Sequence, residues 1–200
     1  MRLLIRKVFL LGSPRPARQV VFSAADRGTE IAPLCRRVGE ALAGESAGKV
    51  CLVEANLRTS ALERDLGRTS SDGRGSLETA GAVRTSSLQI TNNLWLVPGS
   101  VFVGPVEKTL SVAWLRGRLG ELRHEFDYAV IHADTAGGCG SAALFAQLTD
   151  GMVLTLEAHR TRRLAAQNIR DQLLATNVRL LGVVLTGRSF PIPEKLYRRL

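Results

Sequence analysis

Runs of apolar, often β-branched residues alternate along this chain with longer stretches whose apolar residues recur every three or four positions. The first pattern is typical of buried strands and the second of amphipathic helices. The predicted strands cover 20–24, 49–56, 94–98, 128–132, 152–156 and 180–185, and the predicted helices cover 31–43, 60–66, 106–125, 141–148 and 160–176. This alternation predicts a three-layer α/β fold with a doubly wound, mostly parallel sheet.

The pattern predicts one domain at 19–200, preceded by a leader and linker at 1–18. Arg6 and Lys7 interrupt the apolar run of the leader, which is typical of an amphipathic segment rather than of a signal peptide. Turn-forming residues separate the leader from the first strand. A chain of 200 residues is long enough for one domain with a sizeable core.

The stretch 20–38 reads as a strand, a turn of small residues that contains Gly28, and a helix with Pro33 in its first turn. A phosphate-binding loop occupies this place in P-loop proteins, where it needs a glycine, a lysine for the phosphates and a hydroxyl for Mg²⁺. In the register that puts Ala25 at the first loop position, these three places hold Glu30, Ile31 and Ala32. The Glu30 carboxylate would repel a triphosphate. The pattern therefore indicates a P-loop fold, and the residues at the three loop positions argue against nucleotide chemistry.

The composition is that of a globular chain with a strong positive charge. Apolar residues make up 45% of the chain, and the formal net charge is +9. The charge favours acidic partners, which include nucleic acid, anionic lipid and acidic protein surfaces. No apolar run reaches the roughly 18 residues that a membrane-spanning helix needs. Cys35, Cys51 and Cys139 are too widely spaced for a metal site or a disulfide framework, which favours the reducing cytoplasm.

Five segments resemble, in order and in spacing, the bacterial tyrosine kinases of capsule and exopolysaccharide assembly. They read LVEANLR at 52–58, LWLVPG at 94–99, FDYAVI at 126–131, TDGMVL at 149–154, and GVVL followed by PIPEKLY at 182–197. The kinases belong with the partition-type P-loop ATPases. The resemblance implies a P-loop NTPase-like fold of the deviant Walker A class over the chain from about Val20 onward.

The same alignment implies that the catalytic groups are replaced. Ile31 stands at the Walker A lysine, Glu54 and Asn56 at the two acidic positions of the second strand, and His132 at the Walker B carboxylate. Asp134 is a possible substitute metal ligand two residues further on, although imidazole at 132 suits Mg²⁺ poorly. The predicted vestigial nucleotide site comprises Gly28, Thr29, Glu30, Ile31, Ala32, Glu54, Asn56, His132 and Asp134. We expect no catalytic residue, no bound metal and no cofactor beyond weakly held ATP and Mg²⁺.

Simpler structural roles are the preferred interpretation for several of these residues. His132 is expected to be a buried, hydrogen-bonded imidazole, and Glu30 a first-turn helix acid favoured by the helix dipole. Cys139 lies in a glycine-rich turn that resembles a nucleophile turn but lacks an assignable base. Arg160, Arg162 and Arg163 form either a solvated face or an anion site, while Trp95 and Trp114 are expected in the core.

The resemblance favours a non-catalytic pseudokinase or pseudo-ATPase that binds a protein in a polysaccharide assembly or export system. The expected partner is a membrane protein that controls chain length, or a second copy, and the leader at 1–11 would contribute to docking. The expected location is the cytoplasm, with peripheral contact at the inner membrane face. An ATPase or tyrosine kinase with a rebuilt site is the alternative. Non-specific DNA binding is a weaker one, because no basic-aromatic motif accompanies the charge.

Overall fold

The computed structural model describes residues 1–11, 16–56, 59–67, 83–103, 111–137 and 140–188. Within these ranges, seven strands form one sheet in the order β3-β4-β2-β5-β1-β6-β7. The strands are β1 (Gln19–Ala24), β2 (Val50–Glu54), β3 (Leu88–Thr91), β4 (Leu94–Val97), β5 (Tyr128–His132), β6 (Gly151–Glu157) and β7 (Leu180–Thr186). All neighbouring pairs are parallel except β3 with β4. The predicted doubly wound, mostly parallel α/β sheet is confirmed.

Helices cover both faces of this sheet. They are α1 (Arg2–Ile5), which continues as a π-helical turn (Arg6–Leu10), α2 (Ala32–Glu45), α3 (Ala61–Asp65), α4 (Val112–Glu125), α5 (Ser141–Gln147) and α6 (Arg163–Ala175). On one face, α1, α2 and α3 pack against strand residues such as Phe22 and Leu52. On the other, α4, α5 and α6 pack against residues such as Val21 and Val53. Alternate strand residues thus supply two separate core layers, as the strand pleat requires.

The leader packs onto the sheet. Ile5 and Phe9 are fully buried in the core layer of α2, and the Phe9 ring meets Tyr128 edge-on at a centroid distance of 6.1 Å. The opposite side of the helix, with Leu3 and Lys7, is exposed. The sequence suggested that this amphipathic, basic leader contributes to docking, and its apolar side is occupied within the chain. Part of the predicted linker, 12–15, lies outside the described residues.

Strand β3 was not predicted from the sequence. It is a four-residue strand at the edge of the sheet, and its residues are mostly exposed, so it carries no continuous apolar run. A short exposed edge strand gives little hydrophobic signal, because one face has nothing to bury. The predicted loop at 68–76 lies outside the described residues.

One helix start and one core assignment need correction. Helix α4 begins at Val112, after Ser111 with its extended backbone, and the predicted helical residues 106–110 lie outside the described residues. Helix α6 begins at Arg163 rather than at 160, since the preceding residues form a turn. Trp114 is only half-buried: its indole N–H donates to the Val101 carbonyl at 3.2 Å. Trp95 is buried as expected.

Candidate functional site

The carboxyl ends of β1, β2 and β5 border a cavity of ≈ 220 Å³. These strands are neighbours in the sheet, and ligands of open α/β sheets bind at such carboxyl ends. Six of the nine predicted site residues line the cavity: Gly28, Thr29, Ile31, Asn56, His132 and Asp134. Its other lining residues are Ala24, Arg27, Thr59, Ala133 and Thr135. The sequence therefore predicted six of the eleven residues that line this cavity.

Glu30, Ala32 and Glu54 do not line this cavity. Glu30 is exposed and precedes α2, which begins at Ala32 and has no acidic residue in its first turn. The expectation that Glu30 is a first-turn helix acid is wrong. Pro33, in contrast, occupies the first turn as predicted.

Ile31 and Ala32 belong to the hydrophobic core. They are 3% and 4% exposed, and they lie in the core layer of α2. Ile31 also lines the cavity, so the position at which the resemblance places a lysine presents a hydrocarbon surface there. A phosphate in this cavity would meet no cation from residue 31.

Glu54 and His132 form a buried pair across the β2–β5 boundary. They occupy partner positions in the parallel register, and their side chains are 1% and 4% exposed. The Nδ1 atom of His132 lies 2.7 Å from Oε1 of Glu54. In the tautomer that carries its proton on Nδ1, His132 donates this hydrogen bond to the carboxylate.

Two backbone amides complete the partners of the Glu54 carboxylate. The Asn56 N–H donates to Oε1 at 3.0 Å, and the Leu62 N–H of α3 donates to Oε2 at 2.6 Å. Both oxygens are therefore engaged in holding the chain after β2 and the first turn of α3. Such contacts offset the cost of burying a carboxylate. His132 is the hydrogen-bonded buried imidazole that its position suggested.

Asp134 follows the end of β5 and lines the same cavity as His132. Its Oδ1 accepts the N–H of Thr135 at 2.7 Å. Within the described residues, no group of three or more His, Cys, Asp or Glu side chains is placed to hold a metal ion. Mg²⁺ prefers several oxygen ligands. The side chains at this site do not fit that requirement, because Glu54 is engaged elsewhere and residue 132 is an imidazole.

The loop after β1 is tied to the turn between β6 and α6 by a set of hydrogen bonds that we call the loop tether. The Arg160 guanidinium donates to the carbonyls of Arg27 at 3.1 Å and Gly28 at 3.2 Å. The Thr29 hydroxyl donates to Glu157 at 2.8 Å. The Thr161 hydroxyl donates to the carboxylate of Asp26. Strands β1 and β6 are parallel neighbours, which brings these two loops together.

Arg160 lies directly against the backbone of Gly28. Gly28 has φ +86°, and a Cβ atom built there would come within 2.8 Å of the guanidinium nitrogen Nη2. The positive backbone angle favours glycine at this position. Arg160 is thus a structural contact of the loop. The sequence had predicted either a solvated face or an anion site for its arginine cluster, and neither prediction included this contact. The position of Arg160 beyond the carboxyl end of β6 is the signal that could have found it.

The described cysteines are unsuited to nucleophilic chemistry. Cys35 and Cys51 are fully buried, and burial raises the pKa of both thiols well above the usual value. The thiolate, which is the reactive form, is therefore disfavoured at both positions. Cys139, like Tyr197, lies outside the described residues.

Among the described residues, no helix has both the length and the apolar character needed to cross a membrane. The longest helices, α2 and α4, have 14 residues each. A helix that spans a bilayer needs about 20.

Comparison with known proteins identifies the fold. No family model and no curated protein sequence matches the chain. The chimerical protein CapA2B2 has a TM-score of 0.78 at 17% identity, over 93% of this chain and 83% of its own. The kinase domain of VpsO has a TM-score of 0.74 at 20% identity, over 86% of both chains. The MinD cell division protein of Aquifex aeolicus has a TM-score of 0.66 at 16% identity, over 92% of this chain and 73% of its own.

Identities this low establish the fold alone. Other structural matches include the tyrosine kinase domains of BceF and of Escherichia coli ETK, and a ParA family ATPase from Chlorobium tepidum. This chain accordingly has the α/β P-loop NTPase fold that tyrosine kinase domains share with MinD- and ParA-type ATPases.

Proposed function

We propose that this chain is a non-catalytic pseudokinase, which acts by binding another protein in a polysaccharide assembly or export system. The observation that carries the proposal is the buried Glu54–His132 pair. The two positions at which an active relative would hold Mg²⁺ and orient its nucleotide are bonded to each other, at 2.7 Å. The same carboxylate accepts two backbone amides, is buried and does not line the cavity, which supports a structural role.

The phosphate side of the site supports the same conclusion. Ile31 gives the cavity an apolar wall where the resemblance places a lysine. The Arg160 guanidinium is already hydrogen-bonded to the carbonyls of Arg27 and Gly28. The cavity of ≈ 220 Å³ is below the roughly 300 Å³ at which small-molecule pockets begin. Among the described lining residues the cation is the exposed Arg27, and no lysine from residue 31 reaches a phosphate in this small cavity.

The proposed partner is a membrane protein that controls polysaccharide chain length, or a second copy of this chain. This assignment comes from the sequence resemblance and from the kinase domains among the structural matches. The proposed place of action is the cytoplasmic face of the membrane. The vestigial nucleotide site then serves as a rigid part of the scaffold.

Calorimetric titration with ATP and Mg²⁺ tests the loss of nucleotide chemistry. We expect a dissociation constant of about 1 mM or weaker, corresponding to roughly 4 kcal/mol of binding free energy. The VpsO kinase domain, titrated in the same buffer, is the positive control. Mass spectrometry after incubation with ATP and Mg²⁺ should find no phosphate on Tyr128 or Tyr197. Micromolar binding would contradict the loss of the nucleotide site, and a phosphotyrosine would support the alternative, an enzyme with a rebuilt site.

A further inference from the structure

Strand β7 forms one edge of the sheet and carries exposed apolar side chains. Val183 is 53% exposed and Leu185 is 50% exposed. Both line a groove of ≈ 380 Å³ between β6, β7 and α6, distinct from the cavity at the nucleotide position. We call it the β7 groove.

The floor of the β7 groove is lined by apolar side chains, of which Val183 and Leu185 are exposed and Leu154 is buried. Leu154 and Leu156 come from β6, and Leu180, Val183 and Leu185 come from β7. Single exposed apolar residues are normal on protein surfaces, but contiguous ones in a groove mark interaction sites. Strand β7 has seven residues and is therefore about 23 Å long. A helix of about four turns, or roughly 15 residues, has the same length.

The wall formed by α6 is cationic. Arg163 and Arg170 line the groove from this helix. Arg170 makes an ion pair with Asp171, in which both side chains are more than half exposed, and such pairs contribute little. The one carboxylate of the lining, Glu157, already accepts Thr29 and Arg160 in the loop tether. His159 adds no negative charge, so the groove offers its occupant the Arg163 guanidinium and that of Arg170, which is shared with Asp171.

These charges disfavour the chain itself as the occupant. The residues after the described part of β7 include Lys195, Arg198 and Arg199 against the single acid Glu194. A second copy carries the same net charge of +9. The tail would bring cations towards Arg163 and Arg170, and a second copy would approach with a net charge of the same sign. Charge complementarity instead favours an acidic partner.

We propose that the β7 groove binds an amphipathic helical segment of a partner protein, with its apolar side on β6 and β7 and its Asp or Glu residues against Arg163 and Arg170. This inference rests on the proposed protein-binding function and names the chemistry of the partner. The mode is that of a helix laid in a hydrophobic groove, with anchors at helical spacing.

Two synthetic peptides of 16 residues test the proposal. Both carry leucines on one helical face, with glutamates on the flanks of one peptide and lysines on those of the other. We expect the acidic peptide to bind the full chain with at least about tenfold higher affinity by fluorescence anisotropy. Backbone amide signals of β7 and α6 should shift on binding in a ¹⁵N NMR titration.

Charge reversal provides the decisive comparison. The double variant Arg163→Glu with Arg170→Glu should lose about tenfold in affinity for the acidic peptide and gain affinity for the basic one. The matched control, Arg37→Glu with Arg116→Glu, changes the charge equally at exposed positions of α2 and α4 and should keep the original preference. Leu185→Ser should weaken both interactions by removing an apolar anchor, and circular dichroism checks that each variant folds.

Three results would overturn the proposal. The first is equal affinity for the two peptides, and the second is amide shifts away from β7 and α6. The third is self-association in analytical ultracentrifugation that Leu185→Ser abolishes, which would assign the groove to a second copy. None of these results changes the nucleotide titration, so a failure here is distinguishable from a failure of the pseudokinase proposal.

Discussion

His132 and Glu54 are bonded side chain to side chain, Nδ1 to Oε1 at 2.7 Å, between the ends of two adjacent parallel strands. The pair also holds the segment that follows β2, because the same carboxylate accepts the amides of Asn56 and Leu62. A catalytic carboxylate must keep an oxygen available for metal or substrate. At this position the carboxylate instead connects β2, β5 and the first turn of α3.

Glu54→Gln should lower the free energy of unfolding by about 1–3 kcal/mol. The amide side chain has one acceptor oxygen, whereas Glu54 accepts from three N–H groups, so the variant leaves at least one buried donor unpaired. Urea denaturation followed by circular dichroism measures the change. Glu40→Gln is the matched control, since Glu40 pairs with Arg36 at the surface and should cost less than about 1 kcal/mol. Equal effects of the two substitutions would contradict the scaffold role of Glu54.

Restoring an acid at residue 132 should destabilise the protein. His132→Asp places a second carboxylate beside the buried Glu54, and two such groups cannot both ionise without repulsion. We expect His132→Asp to be less stable than the isosteric His132→Asn at pH 7. Urea denaturation of both variants at this pH gives the comparison, and equal stability of the two would contradict the predicted repulsion.

The loop tether should control the local motion of the loop after β1. Arg160→Ala removes the donor to the carbonyls of Arg27 and Gly28. Hydrogen exchange of the amides at 26–31 should become faster, while the free energy of global unfolding changes by less than about 1 kcal/mol. Arg162→Ala, at a neighbouring exposed position, is the control. Unchanged exchange in the Arg160 variant would show that the tether does not restrain the loop.

The order of strands and helices could be predicted because buried parallel strands such as β2 are continuous apolar runs. The clustering of Gly28, Asn56 and His132 also followed from sequence, since residues after parallel strands meet at one edge. The hydrogen bond between Glu54 and His132 could not be predicted, because it depends on the register of two strands and joins residues 78 positions apart in the chain. Arg160 was missed for a similar reason: a surface arginine has no periodic signature, and its partners are backbone carbonyls in another loop.

The Asp150 carboxylate should stabilise the fold at pH values above the pKa that this group has in the unfolded chain. Burial alone would raise the pKa of the Asp150 carboxyl. Arg123 at 2.7 Å and the amides of Gln19 and Arg18 outweigh this effect and lower the pKa below its usual value. A lowered folded pKa gives stability that is present above the unfolded value of about 3.9 and is lost as pH falls through the folded pKa. Asp150→Asn should therefore cost about 1–3 kcal/mol at pH 7 and progressively less below pH 4. A cost that stays constant between pH 7 and pH 2 would contradict this linkage.

Restoring the loop residues should recover part of nucleotide binding. In the triple variant Glu30→Gly, Ile31→Lys and Ala32→Thr, the lysine stem can follow the apolar wall where Ile31 now lies, with its ammonium in the cavity. A charge-assisted contact of about 1.5–3 kcal/mol raises ATP affinity by roughly one to two orders of magnitude.

The gain comes with a cost, because Ile31 and Ala32 are core residues. The variant should lose about 1–3 kcal/mol of folding stability, as core substitutions commonly do. Glu30→Gln alone, at an exposed residue outside the cavity lining, should change ATP affinity by less than about threefold, since exposed charges are screened by salt. Hydrolysis should stay negligible in every variant, because Glu54 and His132 remain bonded to each other. Fluorescent-nucleotide titration of the folded variants measures the affinities. If the folded triple variant binds ATP no better than the parent chain, the loop at 25–32 is not the phosphate-binding position.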